Sequence, residues 1–281
     1  MPTAKVNGID VFYERDGSGP AVLFLNGSGA TLETSALLIE PFRRRADVLA
    51  HDQRGLGRTE IPPGPYAMAD YAADALALLD HVGWERCRVF GVSFGGMVAM
   101  ELAATAPDRV ERLVLACTSP GGEGGASYPL HELRARPVEE RVALYRTLLD
   151  TRFTPAWLAE HDTDRAICEL MSAGQAAVKP DEVLRGEAEQ LEARRHHDVW
   201  DRLSTITCPT LVAAGRWDGI APLANSEAIA SRIPGAELRV YEGGHAFFAQ
   251  DRAALPELVD FVVRSSASPR RVGAWPSPTS C

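Results

Sequence analysis

The chain has 281 residues, 46% of them hydrophobic and 24% charged, which suits one large domain or a domain carrying an insertion. Its net charge of −9, from 29 Lys and Arg against 38 Asp and Glu, argues against nucleic-acid or anionic-membrane partners, because both need clustered cations. Apolar runs too short to span a bilayer, a polar stretch over residues 1–19 and five scattered cysteines without a Cys-x-x-Cys predict a cytoplasmic protein with free thiols.

Taken in chain order, the alternation from Val6 to Arg15 around Gly8 and Asp10 predicts a hairpin at a sheet edge. Residues 21–25 form a continuous apolar run, as expected of a strand covered on both faces, and end in Asn26-Gly27-Ser28-Gly29. A helix over residues 32–45 leads to a second buried strand at 47–51 and a long turn, Asp52 to Thr59. Tyr71, Ala75, Leu78, Leu79 and Val82 recur at helical spacing within 66–82, and Gly83 fits a left-handed cap. Strands follow at 87–92 and 112–116, separated by a helical pattern that includes Met97, Met100, Leu102 and Ala103.

This alternation of strand and helix predicts an α/β fold with a mostly parallel twisted sheet and helices on both faces. It stops between Cys117 and Thr207. Residues 121–125 are glycine-rich and read as a flexible connection, and the patterns at 138–149, 157–170 and 182–195 are helical. Residues 120–204 therefore read as a helical cap inserted after the strand ending near Ala116. The sheet resumes at 210–214, a helix at 224–233 leads to a strand at 238–241, and the last helix covers 256–263. The expected division is a core of residues 1–119 and 205–264, the cap, and a Ser-, Pro- and Arg-rich tail, 265–281, expected to be disordered.

Ser93 sits on the turn between strand 87–92 and the helix after it, flanked two residues away on each side by Gly91 and Gly95. A strand can reverse this sharply into a helix only where both flanking positions lack a Cβ, and Gly-x-Ser-x-Gly is the spacing of a nucleophile elbow. The bland alternative is a glycine-rich turn whose serine caps the helix. Ligands bind open α/β sheets outside the carboxyl ends of the strands, so the other strand-end loops are the places to find partners for Ser93. Asp218 follows the strand at 210–214 and His245 follows the strand at 238–241.

A serine hydroxyl needs an adjacent base, and the base needs a third group to hold its tautomer, so the expected catalytic residues are Ser93, His245 and Asp218. Glu242 is the weaker alternative acid, and the remaining histidines lack such placement. The expected oxyanion hole consists of the backbone N–H groups of Phe94 and Ser28, with Gly27 or Gly29 as substitutes for Ser28. Asn26, Trp157, Trp217 and Phe247 are candidate substrate-binding residues. Arg54, Arg134, Arg136 and Arg146 suggest a carboxylate-bearing substrate, although mixed charges on helices usually face water. The chemistry calls for neither cofactor nor metal.

These motifs resemble the α/β-hydrolase superfamily from about Val6 to Val263. Phe90 to Gly96 looks like its elbow, Asp52 to Thr59 like its Asp-x-Arg-Gly-x-Gly-x-Ser/Thr turn, and Gly215 to Asp218 and Gly243 to His245 like its acid and base loops. Within the superfamily the chain is most similar to small carboxylesterases and 3-oxoadipate enol-lactonases. It departs from the common His-Gly-x-Gly after the first central strand by having Asn26-Gly27-Ser28-Gly29, and enol-lactonases also tend to carry Asn there. The resemblance implies cleavage of a small-molecule carboxylic ester or lactone through an acyl-enzyme on Ser93. The same residues also serve C–C bond hydrolysis or perhydrolase chemistry, and a hydrolase-like pocket can serve a ligand receptor.

Overall fold

The structure, a computed structural model, describes residues 2–264; the expectation for the tail lies outside them. β1 (Thr3–Val6) and β2 (Ile9–Gly17) form the expected hairpin, and its turn residues Asn7 and Gly8 take φ values of 47° and 82°. Positive φ at both positions matches the twist of the flanking strands. β3 (Ala21–Leu25), α1 (Leu32–Arg43), β4 (Asp47–His51), α2 (Met68–His81), β5 (Cys87–Val92), α3 (Phe94–Thr105) and β6 (Val110–Ala116) complete the first half. β7 (Thr210–Gly215), α9 (Leu223–Arg232), β8 (Glu237–Tyr241) and α11 (Ala254–Val263) return to the same sheet.

The strand order is β1-β2-β4-β3-β5-β6-β7-β8, parallel from β4 to β8 with an antiparallel hairpin at one edge. Alternate residues of each central strand enter different cores. Leu23, Val89, Leu113 and Val212 pack under α2, α3 and α9, whereas Phe24, Phe90, Val114 and Leu211 pack under α1 and α11. The chain leaves β3 for β4 on one side and later returns to β5 on the other. This reversal opens a crevice at the carboxyl ends of β3 and β5, where Asn26 and Ser93 stand.

Between β6 and β7 lie α4 (Leu130–Arg134), α5 (Val138–Leu149), α6 (Pro155–Glu160), α7 (Asp162–Ala176) and α8 (Asp181–Arg195). Leu133, Leu148, Leu149, Phe153 and Cys168 give these helices a small core of their own. One helix expected over 157–170 is two, because His161 leaves helical geometry at φ −125° and ψ 85° and the acidic Asp162 and Asp164 open α7. The stretch 121–125 is also not a loose connection. Positive φ at Gly121, Gly122 and Gly125 builds a tight turn, and Val199 N–H donates to Pro120 O at 2.9 Å, so the segment leaves and rejoins the sheet at one point. α10 (Phe247–Gln250), a single turn after the base loop, is too short for a periodicity to reveal.

Candidate active site

Ser93 occupies a backbone conformation with φ 56° and ψ −115°, a costly one for any residue with a Cβ. Its surroundings enforce it: Ser93 N–H donates to Ala116 O at 2.8 Å, and Ser93 O accepts from Gly96 N at 2.9 Å and from Thr118 Oγ1 at 2.8 Å. The two flanking glycines are required by contact. A Cβ on Gly91 would lie 2.4 Å from Gly95 O, and one on Gly95 would lie 2.0 Å from Leu25 O. The tightness lifts the Ser93 hydroxyl above the sheet at the start of α3.

His245 Nε2 lies 3.0 Å from Ser93 Oγ, and its Nδ1 lies 2.8 Å from Asp218 Oδ2. With the ring proton on Nδ1, Nε2 is left to accept from the Ser93 hydroxyl. The other carboxylate oxygen of Asp218 accepts from Ile220 N and Ala221 N, both at 2.8 Å, which fixes the carboxylate plane. Ser93, Asp218 and His245 are all buried. Glu242, the alternative acid, is exposed and engaged outside the site by Arg216 Nε at 2.8 Å and Trp217 Nε1 at 3.3 Å.

The acid and base loops also hang from the end of α5. Leu149 O accepts from His245 N at 2.6 Å, Leu148 O accepts from Gly219 N at 3.0 Å, and Thr151 N donates to Trp217 O at 2.9 Å. Asp150, fully buried, accepts from Gln250 Nε2 at 3.0 Å, while Gln250 Oε1 accepts from Gly244 N at 2.8 Å. Neither Asp150 nor Gln250 carried a sequence signal, because each acts through a loop distant in the chain.

The loop after β3 closes over the elbow: a Cβ on Gly27 would sit 3.6 Å from Ser93 Cβ. Phe94 opens α3, where an N–H has no intrahelical acceptor. Gly29 N donates to Gln190 Oε1 at 2.8 Å, which removes Gly29 from the alternatives to Ser28. Asn26 is fully buried, its carbonyl accepts from Gln53 Nε2 at 2.8 Å, and neither polar atom of its side chain has a partner. Ser28 Oγ and Gln53 Oε1 are likewise buried and unpartnered. Each such group costs about 1–3 kcal/mol unless something bonds to it.

α8 crosses above this loop, with Gly186, Gln190 and Arg194 at intervals of four residues on its buried side. Burial lowers the Arg194 guanidinium to about 10 against the raising fields of Asp218 and Tyr145, so it remains a cation at neutral pH. Burial raises the Tyr145 phenol to about 12, with Asp218 adding to the rise. Sequence reasoning missed Gln190, Arg194 and Tyr145. The one available signal was a Gly186-x-x-x-Gln190-x-x-x-Arg194 stripe, which a search for apolar periodicity passes over.

Three residues expected to bind substrate are engaged elsewhere. Trp157 stacks on His161 at 3.9 Å and donates to Asp164 at 2.8 Å, and the exposed Trp217 donates to Glu242. The Arg152 guanidinium lies 4.8 Å from the Trp157 ring and 5.4 Å from the Trp217 ring, so the two brace a cation at the rim. Phe247 is fully buried and stacked on Tyr241 at 5.2 Å, a core contact. Three of the arginines considered for a carboxylate are already paired: Arg54 bidentately with Asp74 at 2.7 Å, Arg134 with Glu187 and Arg136 with Glu140. Cys117 brings its sulfur into a cluster with Asp218 and His245 whose ligand atoms lie within 4.8 Å of one another. Burial holds that thiol well above its ordinary range, and the other two are bonded to each other, so the group suits the hydrogen-bonded line rather than metal ligation.

A family model described as the alpha/beta hydrolase fold matches residues 20–251. A relative from Variovorax paradoxus named carbamate hydrolase RutD is 32% identical over 91% of this chain and 97% of its own length. The 3-oxoadipate enol-lactonase 2 of Acinetobacter baylyi is 29% identical over 87% of this chain and 89% of its own. Among solved structures, the enol-lactonase from Burkholderia xenovorans LB400 superposes with a TM-score of 0.77 at 25% identity, covering 94% of this chain and all of that one.

Proposed function

The chain belongs to the α/β-hydrolase family, and on that premise we propose that it is a serine hydrolase cleaving a small carboxylic ester or lactone. The observation that carries the reading is the line from Ser93 Oγ through His245 to Asp218, at 3.0 and 2.8 Å. Ser93 Oγ attacks the acyl carbon while its proton passes to His245 Nε2, and Asp218 steadies the resulting imidazolium. The N–H groups of Phe94 and Ser28 take the oxyanion, whose charge would otherwise be stranded in a buried site. Collapse of the tetrahedral species returns the proton to the leaving oxygen and leaves an acyl group on Ser93. His245 then draws a proton from water, which releases the acid. The relatives named for a lactone and a carbamate, both cleaved at an acyl carbon, support this chemistry.

Residues 120–204 act in this reading as the cap over the crevice, and the partner is a small molecule. No helix among the described residues is long and apolar enough to cross a membrane, and the four described cysteines are free, which supports a cytoplasmic setting. A fluorophosphonate should label Ser93, read by mass spectrometry of the modified peptide. Ser93→Ala should lower turnover of p-nitrophenyl butyrate by at least about 10⁴-fold. Substantial surviving turnover in that variant overturns the assignment.

A further inference from the structure

The loop that carries His245 has no regular geometry of its own. It runs from Glu242 to Ala246 between β8 and α10, and Gly243 takes a φ of 145°. Two consecutive glycines let such a loop sample many conformations unless its neighbours select one. Three hydrogen bonds do so: Gly243 O accepts from Trp217 N at 2.9 Å, His245 N donates to Leu149 O at 2.6 Å, and between them Gly244 N donates to Gln250 Oε1 at 2.8 Å. Only the last has a side chain as partner. The fit around it is close, since a Cβ on Gly243 would lie 2.7 Å from Gln250 Oε1 and one on Gly244 would lie 2.7 Å from Asp150 Cβ.

The other end of the same amide meets two carboxylates. Gln250 Nε2 donates to Asp150 Oδ2 at 3.0 Å and to Asp164 Oδ1 at 3.1 Å. A carboxylate only accepts and the Gly244 N–H only donates, so one orientation of the amide satisfies all three. Asp150 is fully buried at the end of α5 and is gripped by Arg152, whose Nε donates to Oδ1 at 2.9 Å and whose Nη2 donates to Oδ2 at 2.6 Å. Asp164 lies in the first turn of α7, and its Oδ2 accepts from Trp157 Nε1 of α6 at 2.8 Å. The base loop, the end of α5 and the start of α7 therefore meet at one half-buried side chain.

We propose that Gln250 is a positioning residue, which places the His245 imidazole through Gly244 and ties that placement, through Asp150 and Asp164, to the helices inserted between β6 and β7. The proposal rests on the reading of His245 as the base that serves Ser93. His245 Nε2 lies 3.0 Å from Ser93 Oγ, so a shift of a few tenths of an ångström in the loop takes the pair out of good hydrogen-bonding range. A displacement of α7 that draws on Asp164 is felt at the imidazole. Glutamine suits the junction because it accepts from an N–H while donating to two carboxylates. Methionine fills the same volume and bonds to none of them.

Gln250→Met should lower kcat for p-nitrophenyl butyrate about 30- to 100-fold while KM stays within about threefold, since the loss falls on proton-transfer geometry and not on substrate contacts. A role in stability alone would leave kcat of the folded protein unchanged, and kcat within about threefold of wild type overturns the proposal. Gln250→Glu adds a rescue. Its protonated carboxyl can still accept from Gly244 N and donate to Asp150, whereas its anion faces Asp150 from α5 and Asp164 from α7, with Asp251 next in the chain and Arg152 the one nearby cation. Those charges hold the introduced carboxyl above the usual glutamate range, so kcat relative to wild type should be highest near about pH 5.5 and fall about tenfold by about pH 8. If the Met variant does not fold, this profile carries the test, and a ratio flat with pH overturns the proposal. An NMR readout separates the two readings: the far-downfield resonance of the His245 Nδ1 proton bonded to Asp218, assigned by its absence from His245→Gln protein, should be lost in Gln250→Met. That loss supports the positioning role even if Ser93→Ala retains turnover and the serine reading fails. If Ser93→Ala is inactive while Gln250→Met keeps both the resonance and its kcat, only the positioning role is lost.

Discussion

The rim of the sheet and the helix that crosses it hold buried polar side chains in place by different means. At the rim, Ser93, Asp218 and His245 are held by backbone: a left-handed elbow, two amides on one carboxylate oxygen, and a loop bonded to the end of α5. On α8 the backbone is ordinary helix, and position comes from how closely Gly186 lets it approach Gly55. Strained backbone leaves glycines on both sides of the residue it holds, whereas the helix face leaves a single glycine one and two turns away from Gln190 and Arg194. The rim can tolerate little change, and the helix can be retuned by moving one side chain.

Three measurements bear on this contrast. The largest effect is expected at the rim: Asp218→Asn keeps the shape but favours the wrong tautomer of His245, and kcat for p-nitrophenyl butyrate should fall by about 10⁴-fold. A loss below tenfold would mean that Asp218 is a turn residue and not the partner of the base. Next comes a glycine on each side of the comparison. Gly95→Ala and Gly186→Ala both place a Cβ 2.0 Å from a carbonyl oxygen. Gly95→Ala should destabilise the fold by about 3 kcal/mol or more, seen in urea melts, because β3 and β5 cannot separate. Gly186→Ala should cost less, about 1–2 kcal/mol, since alanine favours helix and α8 can shift as a body, yet lower kcat/KM about 10- to 100-fold as α8 is pushed off the rim. Equal losses of stability in the two variants would erase the distinction.

The third measurement, a change of slope rather than a loss of activity, concerns acid sensitivity. His197, just after α8, is 6% exposed, and burial depresses it to about 4. Above the unfolded value near 6.5 it contributes nothing to pH dependence. Below that value the unfolded chain takes up a proton that the folded one refuses, so stability falls as pH drops toward 4, by about 3 kcal/mol in all. Denaturant melts between pH 7 and 4 should show His197→Gln with a slope shallower by up to one proton. An unchanged slope would place the acid sensitivity elsewhere, with His51, also depressed by burial, the next group to replace.

The sheet and its loops were legible because their constraints are local. Ala21 to Leu25 and Cys87 to Val92 are apolar nearly throughout, since both faces of a central strand are covered, and Gly91 and Gly95 are glycine for a reason two residues away. The division of labour among aromatics was not legible. Phe247 and Trp217 lie as near His245 and Asp218 in sequence as any residue in a pocket, but one closes the core and the other braces Arg152. Arg194 was hidden for the opposite reason. Helix α8 is polar nearly all round, so one more arginine looked like solvent-facing charge until the loops packed against it removed the water. The break at His161 left only a weak mark, the acidic pair Asp162 and Asp164 that suits a first helical turn but also sits on many solvent-facing helix surfaces.

The hydrogen bonds from Gly219 and His245 to Leu148 and Leu149 carry a lesson for redesign. A chimera that transplanted the whole stretch between β6 and β7 from another protein would change substrate preference and, in the same cut, let go of the imidazole. A graft that keeps this chain from Val138 through Phe153, together with Asp164, whose carboxylate accepts from Gln250 beside the base loop, and exchanges the rest of α6, α7 and α8 would retain that suspension.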